Sequence, residues 1–490
     1  MNQTTIFDMM YPKYKIAKPI RLIELFAGYG SQALALKYLG VKFEHWKICE
    51  WAVKSIQAYK DIHFTNDTKE ISMSKDEMID YLYNKGISSN YNEPMTKSQI
   101  SRLNEKQLKT IIENIEITHN LVNIQQVKGQ DLEIIEKEQY EYILTYSFPC
   151  QDLSLAGKGK GMADTTTRSG MLWEVERILN ELKTTNSLPQ ILLMENVPQV
   201  HGSDNVEHFN KWQLALERFG YKSYFQDLIA TDYGIPQTRN RCFMISILGD
   251  YSYTFPKPIP LKLKLKDMLE DEVDEKYYLS DRQIKDIQNW NAYEKPLENM
   301  EKIDKTDIRP TLTTRSGAYA AGMILVKNAT KKGYLEATDG DGIDISSRMK
   351  HHRGNVQKDK IQTLTTSGGN DRGVCVGTYQ YSKSDKFMNG KDRLQLGKEV
   401  SDTLQTTPKE GICYNDLRIR KLTPREAFRL MGVKDEDYYK VAENQSNSSL
   451  YHLAGDSLVT LVFCAIISTM MDNTKPFAQV LEEFYLQISN

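Results

Sequence analysis

The sequence lacks any paired-cysteine pattern. Its six cysteines stand singly at 49, 150, 242, 375, 413 and 464, with no Cys-x-x-Cys step. That spacing argues against a structural zinc site and against a disulfide framework. An excess of one charge is lacking too: 63 Lys and Arg face 65 Asp and Glu, for a net charge of -2. Any nucleic-acid site is therefore a local basic lining in a near-neutral protein. Long apolar runs are missing. The longest, Leu458 to Met471, is interrupted by Thr460, Ser468 and Thr469 and falls short of a membrane span. The first residues, Met1-Asn2-Gln3-Thr4-Thr5, lack the basic-then-apolar order of a signal peptide. A cytoplasmic chain without membrane contact and without a metal is expected.

What is present points to an α/β fold. The 490 residues suffice for two or three domains. Arg21 to Phe26 reads as a strand, Ala27-Gly28-Tyr29-Gly30-Ser31 as a glycine turn and Gln32 to Leu39 as a helix. Phe43 to Cys49 reads as a second strand, ending at Glu50-Trp51. Glu50 lies 22 residues past Gly28, which suits a carboxylate gripping ribose hydroxyls. The turn has two glycines rather than three, so a nucleoside ligand without phosphates fits it. A purely structural βαβ turn would read the same way.

Residues 68–126 differ from this rhythm. They are rich in Lys, Glu, Asn and Ser, with apolar positions at helical spacing from Ile100 to Ile115. A solvated helical insertion is expected there, with contact to a ligand or partner as the alternative. The sheet resumes near Asn123 to Val127, and Gly129-Gln130-Asp131-Leu132 marks a strand end with a carboxylate. Tyr142 to Tyr146 is a further strand, followed by Ser147-Phe148-Pro149-Cys150-Gln151-Asp152-Leu153-Ser154. Ser154 to Gly170 is rich in Gly, Lys, Ser and Thr, as a lid is. Gln190 to Met194 is an apolar strand ending at Glu195-Asn196. Gln237-Thr238-Arg239-Asn240-Arg241 leads into a last strand, Cys242 to Leu248.

The rhythm stops near 250, where Pro256, Pro258 and Pro260 cluster. Thr311 to Thr314, Thr363 to Thr366 and Thr403 to Thr406 form a loose repeat, each preceding a glycine and a short strand. Spacings of 52 and 40 residues are too irregular for a solenoid and suit a small, mostly β domain of hairpins. We therefore expect a catalytic domain at 1–249, a second, smaller, mostly β domain at 250–450 and C-terminal helices at 451–490 that return to the first sheet.

An isolated cysteine is ordinarily a small core residue. Cys150 and Glu195, however, each follow a strand, and open α/β sheets bind ligands at their strand carboxyl ends. Arg239 and Arg241 are two apart in extended chain and point to one side. A thiol, a carboxyl and guanidinium groups beside a nucleoside site suit attack by a thiolate on an electron-poor ring. The acid would serve the ring nitrogen and an arginine the carbonyl oxygen.

At these residues the chain resembles the DNA (cytosine-5)-methyltransferases of bacterial and phage type, with motifs in that family's order from Leu22 to about Val459. Leu25-Phe26-Ala27-Gly28-Tyr29-Gly30 resembles the S-adenosylmethionine loop, and Glu50-Trp51 the ribose acid with its stacking aromatic. Asp131-Leu132 resembles the adenine-contacting step, Pro149-Cys150-Gln151 the nucleophile motif and Glu195-Asn196-Val197 the proton-donor motif. Gln237-x-Arg239-x-Arg241 resembles the arginine motif. Arg425-Glu426-Ala427-x-Arg429-Leu430-Met431-Gly432 resembles the motif framing the recognition domain. Where the family commonly has Gly-Asn-Ser, this chain has Gly455-Asp456-Ser457, exchanging an amide donor for a charge.

The resemblance implies a Rossmann-like, doubly wound mixed sheet that binds S-adenosylmethionine. It implies methylation of carbon 5 of a cytosine flipped out of duplex DNA. It places Cys150, Glu195, Arg239 and Arg241 in catalysis. Leu25, Phe26, Ala27, Gly28, Gly30, Glu50, Trp51, Asp131, Leu132, Pro149, Asp456 and Ser457 would hold the cofactor. Gln151, Ser154, Lys158, Lys160, Arg168 and Gln237 would meet DNA. A monomer is expected, either with a cognate restriction endonuclease in the same system or as an orphan or phage enzyme. The competing readings are an RNA cytosine-5 methyltransferase and a non-catalytic DNA-binding protein on the same scaffold.

Overall fold

The computed structural model describes residues 11–148, 169–280, 324–331, 333–345, 354–366, 372–380 and 414–488. The chain divides into two compact units. The first comprises Met1–Leu263, Thr363–Gly368 and Pro424–Asn490, and the second Lys264–Gln362 and Gly369–Thr423.

A six-stranded sheet organises the first unit. Its strands are β1 (Ile20–Leu25), β2 (Phe43–Cys49), β3 (Glu141–Tyr146), β4 (Ile191–Asn196), β5 (Tyr221–Ile229) and β6 (Asn240–Leu248). They lie in the order β2-β1-β3-β4-β6-β5. The first four run parallel, and β6 is antiparallel to both β4 and β5. Every residue of β1, β3 and β4 is buried, which explains why they read as near-continuous apolar runs. Register fixes a rim. Leu25 pairs with both Cys49 and Tyr146, and Asn196 pairs with Cys242. The carboxyl ends of four strands and the start of β6 thus share one edge.

Twelve helices are described: α1 (Ser31–Tyr38), α2 (Val53–His63), α3 (Lys75–Lys85), α4 (Lys97–Ser101), α5 (Glu105–Ile117), α6 (Leu172–Thr184), α7 (Val206–Phe219), α8 (Pro424–Arg429), α9 (Asp435–Ala442), α10 (Asn447–Asp456), α11 (Thr460–Ser468) and α12 (Phe477–Ile488). On one sheet face, Ile23, Leu144, Leu192 and Met244 pack with Val175 and Leu179 of α6 and with Trp212 and Leu216 of α7. The alternating residues Leu22, Ile143, Leu193 and Ile245 are buried on the other face. The α11 run is buried at all but its last position, as its near-uniform apolarity requires. Its Cys464 thiol donates to the Ala35 carbonyl of α1 at 3.6 Å. Taken together, Asn447–Ser468 is long and apolar enough to cross a membrane, contrary to the sequence reading. Most of it lies inside the unit, so it is a core element here.

The expected boundaries shift. Ser252 donates its N–H to the Pro12 carbonyl at 3.0 Å and accepts from the Tyr14 N–H at 3.1 Å, tying the chain past 250 to the first unit. Residues 424–450, expected in the second domain, also fold with the first. Buried Asp437 there accepts from the Tyr38 hydroxyl at 3.0 Å and pairs with Lys37 at 2.7 Å.

The insertion is not a solvated appendage. Three capping boxes start its helices: Ser74 with Glu77, Thr96 with Gln99 and Asn104 with Gln107. Met78, Leu82, Ile100, Leu108, Ile112 and Ile115 form a core that also takes in Ile56 of α2.

In the second unit, β7 (Ile324–Lys327) pairs with β8 (Tyr334–Ala337). A second sheet runs β10-β9-β11-β12, from β9 (Gly342–Asp344), β10 (Val356–Gln357), β11 (Arg372–Gln380) and β12 (Tyr414–Lys421), with every pairing antiparallel. Its core is Leu279, Val326, Ala337, Ile343, Cys375 and Ile419. Of the three repeats, 311–314 and 403–406 lie outside the described residues, and 363–366 belongs to the first unit.

Candidate active site

A cavity of about 670 Å³ opens at the rim of the first unit's sheet. Its walls include Phe26, Ala27 and Gly28 after β1, Glu50 and Trp51 after β2, Ser147 and Phe148 after β3, Glu195 and Asn196 of β4, and Arg239 and Arg241 around the start of β6. Gly455, Asp456 and Ser457 complete it from the end of α10.

The turn after β1 reverses sharply. Phe26 has φ 60, Gly28 φ 57 and Gly30 φ 81. A Cβ on Gly30 would come within 2.4 Å of the His63 ring and 2.6 Å of the Tyr59 ring, so no other residue fits. The Gly28 N–H donates to Glu50 at 2.9 Å, and the Ala52 N–H donates to the other carboxylate oxygen at 2.8 Å. Each oxygen keeps a second lone pair for a ligand hydroxyl. Burial pushes the Glu50 carboxyl up to about 7, against those two hydrogen bonds and with the Asp456 charge adding to the rise.

Glu195 and Arg241 meet on the same wall, with Arg241 Nε 3.1 Å from Glu195 Oε1. The approach is an ion pair without hydrogen-bond geometry, since Glu195 Oε1 has no hydrogen-bond partner among the described residues. Next to it, the Asn196 side-chain amide donates to the Phe148 carbonyl at 3.0 Å. This bond ties the end of β4 to the chain leaving β3.

Arg239 is placed differently. It is buried, and its guanidinium donates to the carbonyls of Leu364 at 3.3 Å, Gly455 at 3.2 Å and Ser457 at 2.5 Å. Its charge holds three backbone segments together at the edge of the cavity. Gln237, expected at DNA, is fully buried. Its amide donates to the Leu430 carbonyl at 2.7 Å and accepts from the Leu364 N–H at 3.2 Å. A DNA contact for it is corrected accordingly.

Three cofactor expectations are corrected as well. Leu25 is core, and Asp131 and Leu132 do not line the cavity. Instead of ending a strand, Gly129–Leu132 forms a short 3-10 turn in which Asp131 accepts from the Lys128 N–H at 2.8 Å. Val122 to Gln125 take the place expected of them. A bridge between Ile48 and Asn120 carries that segment to the rim beside β2. Val122 there has φ 69, a strained conformation for a β-branched residue and one that recurs at binding sites. Gly30 turns the chain without lining the cavity.

Sequence reasoning missed two further parts of the wall. One is Tyr91 to Pro94 of the insertion, and the other is His452, one helical turn before Asp456. His452 Nε2 lies 3.2 Å from Asp456 Oδ2. Burial disfavours the imidazolium, but Asp456 outweighs it and the shift is upward. The charge at Asp456 therefore has a local partner. Pro149, Cys150, Gln151, Ser154, Lys158, Lys160 and Arg168 lie outside the described residues.

The profile of the C-5 cytosine-specific DNA methylases matches residues 83–472. The chain is 30% identical over 448 residues to the Type II methyltransferase M2.ScrFI of Lactococcus lactis subsp. cremoris, covering 90% of this chain and 96% of that protein. It is 34% identical over 417 residues to the Orphan methyltransferase M.SssI of Spiroplasma monobiae, covering 83% and 96%. Among solved structures it resembles the Entamoeba histolytica methyltransferase EhMeth with a TM-score of 0.50 and 13% identity, covering 93% of this chain and 98% of that one, a likeness of fold.

Proposed function

Because this chain belongs to the C-5 cytosine-specific DNA methylase family, we propose that its rim cavity binds S-adenosylmethionine beside a flipped cytosine, with Cys150, Glu195 and Arg241 carrying the chemistry. The chain is a DNA (cytosine-5)-methyltransferase. The observation that supports the residue roles best is the Glu195–Arg241 pair at 3.1 Å on a wall shared with Glu50 and the Phe26–Gly28 turn.

The cavity suits the cofactor. Glu50 offers free lone pairs for ribose hydroxyls, Trp51 offers a flat apolar face, and the backbone of the Phe26–Gly28 turn can approach closely. When bound, S-adenosylmethionine supplies an electrophilic methyl group on a sulfonium. The protein's own residues prepare the base. Cys150 thiolate bonds to C6 of the cytosine while Glu195 serves N3 with a proton, and the ring's electron density moves to C5. Arg241 faces the O2 oxygen and keeps Glu195 oriented. After C5 is methylated, its proton leaves to solvent, Cys150 departs from C6 as the thiolate, and N3 returns its proton to Glu195, which restores the aromatic ring.

A base inside a duplex cannot reach such a cavity, so the cytosine is extruded. Gln151, Ser154, Lys158, Lys160 and Arg168 are assigned to the phosphates and strand around it. Sequence choice is assigned to the second unit, through side chains reaching the major groove. The enzyme acts as a monomer, without a metal, in a restriction–modification system or as an orphan.

Transfer of tritiated methyl from S-adenosylmethionine to duplex DNA, with tRNA as the comparison substrate, tests the assignment. Bisulfite sequencing of DNA from expressing cells then reads the target. Labelled tRNA with unlabelled DNA would overturn the substrate class.

A further inference from the structure

The insertion's role is not given by the methyltransferase reading, and one loop of it supplies an answer. Residues 88 to 95 connect α3 to α4 directly against the end of β2. The Ser88 N–H donates to the Trp51 carbonyl at 2.8 Å, and the Val53 N–H donates back to the Ser88 carbonyl at 2.9 Å. The loop closes on itself. The Met95 N–H donates to the Ile87 carbonyl at 2.7 Å, and the Ser88 hydroxyl to the Glu93 carbonyl at 2.7 Å. The Asn90 side chain accepts from the N–H groups of Asn92 and Glu93 at 3.0 and 3.2 Å. Such internal bonding makes a fixed wall rather than a loose tip.

Tyr91 sits at its apex with φ 63, a left-handed conformation that a tyrosine adopts at a cost. Its ring lies against His452 of α10, with centroids 3.9 Å apart. Its hydroxyl is buried and turned toward Ser55 and Ser449. Both Tyr91 and His452 line the cavity that contains Glu50. A loop held only for packing has no use for a strained backbone at an apex that faces a cavity. A ligand that packs on Tyr91 accounts for that cost.

We propose that the 88–95 loop is a wall of the cofactor site and that Tyr91 clasps S-adenosylmethionine from the insertion side, with its ring braced on His452. This rests on the reading that the cavity takes that cofactor. It makes the insertion a determinant of cofactor affinity, joined across the cavity to the helix that carries Asp456.

Hydrogen exchange on the full-length protein tests the clasp without mutation. Adding S-adenosylmethionine or S-adenosylhomocysteine should slow exchange at both 26–32 and 88–95. Slowing at 26–32 with no change at 88–95 overturns the proposal. Calorimetry supplies the second test. Tyr91→Ala should weaken S-adenosylmethionine binding by about tenfold or more through loss of the ring. Tyr91→Phe, which keeps the ring, should bind within about threefold of wild type, and a larger loss would overturn the assignment to the ring. Circular dichroism should show both variants folded. Affinity of folded Tyr91→Ala within twofold of wild type overturns the clasp. If the wild-type protein shows neither heat nor exchange protection anywhere, the cofactor reading itself falls, and the clasp with it.

Discussion

Arg241 Nε lies 3.1 Å from Glu195 Oε1, although the two residues come from strands running in opposite directions. The antiparallel pairing of β4 with β6 makes this possible, because the end of one strand and the start of the other share a rim. A one-residue slip of β6 would turn Arg241 to the far face. The pair therefore reports the register of the sheet as well as the chemistry at its edge.

The nucleophile assignment has a direct test. Cys150→Ala should abolish methyl transfer, and DNA carrying 5-fluorocytosine should trap wild-type protein but not the variant. An adduct formed by Cys150→Ala would remove Cys150 from the mechanism.

Removing either member of the rim pair should slow chemistry rather than binding. Glu195→Gln should lower single-turnover rates by on the order of 100-fold to 10,000-fold, the span of general acid–base contributions. Arg241→Ala should cost about 100-fold to 1,000-fold, as loss of one charge-stabilising donor does. DNA affinity by fluorescence anisotropy should stay within a few-fold for Glu195→Gln. Unchanged turnover in that variant would end the proton-donor role.

Gln237 should behave as a structural residue. Gln237→Ala strands the Leu430 carbonyl and the Leu364 N–H in a buried setting, at a cost of about 1–3 kcal/mol. Denaturant unfolding should show that loss. The salt dependence of DNA binding should stay as in wild type, where a lost DNA contact would change affinity without loss of stability.

Glu50 should make cofactor binding pH-dependent. Burial raises its folded-state carboxyl to about 7 from the ordinary 4.5, so between those values the free protein holds a proton there that an unfolded chain has released. Its contribution to stability is present in full below about 4.5 and is lost as pH rises through 7. Cofactor binding runs the other way, because the ionised carboxylate is the better acceptor for ribose hydroxyls. Affinity should therefore rise from pH 6 to pH 8 and level off above. Calorimetry near pH 6.5 in buffers of different ionisation enthalpy should show proton release on binding. Glu50→Gln should flatten the profile.

Local pattern revealed the strand ends and the residues just beyond them. The Phe26–Gly30 turn, Glu50, Glu195 and Arg241 were legible because each is placed by its own strand. Arg239 and Gln237 were not, because their partners lie far along the chain: Leu364, Leu430, Gly455 and Ser457. Arg239 also stands just before β6, so the two-residue alternation that orients Arg241 does not extend to it. Asp131 misled for a related reason. A carboxylate after an apolar run looks like a strand end, yet it caps its own turn. The signal for Val122 to Gln125 was a non-local bridge, Ile48 to Asn120, which no spacing announces. Polar composition suggested solvent for the insertion, but its three capping boxes and its apolar stripe describe a packed element.

The three carbonyls around Arg239 also set an order of synthesis. They belong to residues 364, 455 and 457, so a nascent chain holding only β1 to β6 lacks the acceptors that fix Arg239. The first unit is completed only when its last segment, from Pro424 onward, has emerged and closed over the sheet. Methyl transfer thus begins only after the second unit has been made. The catalytic rim is never finished ahead of the unit to which target choice is assigned.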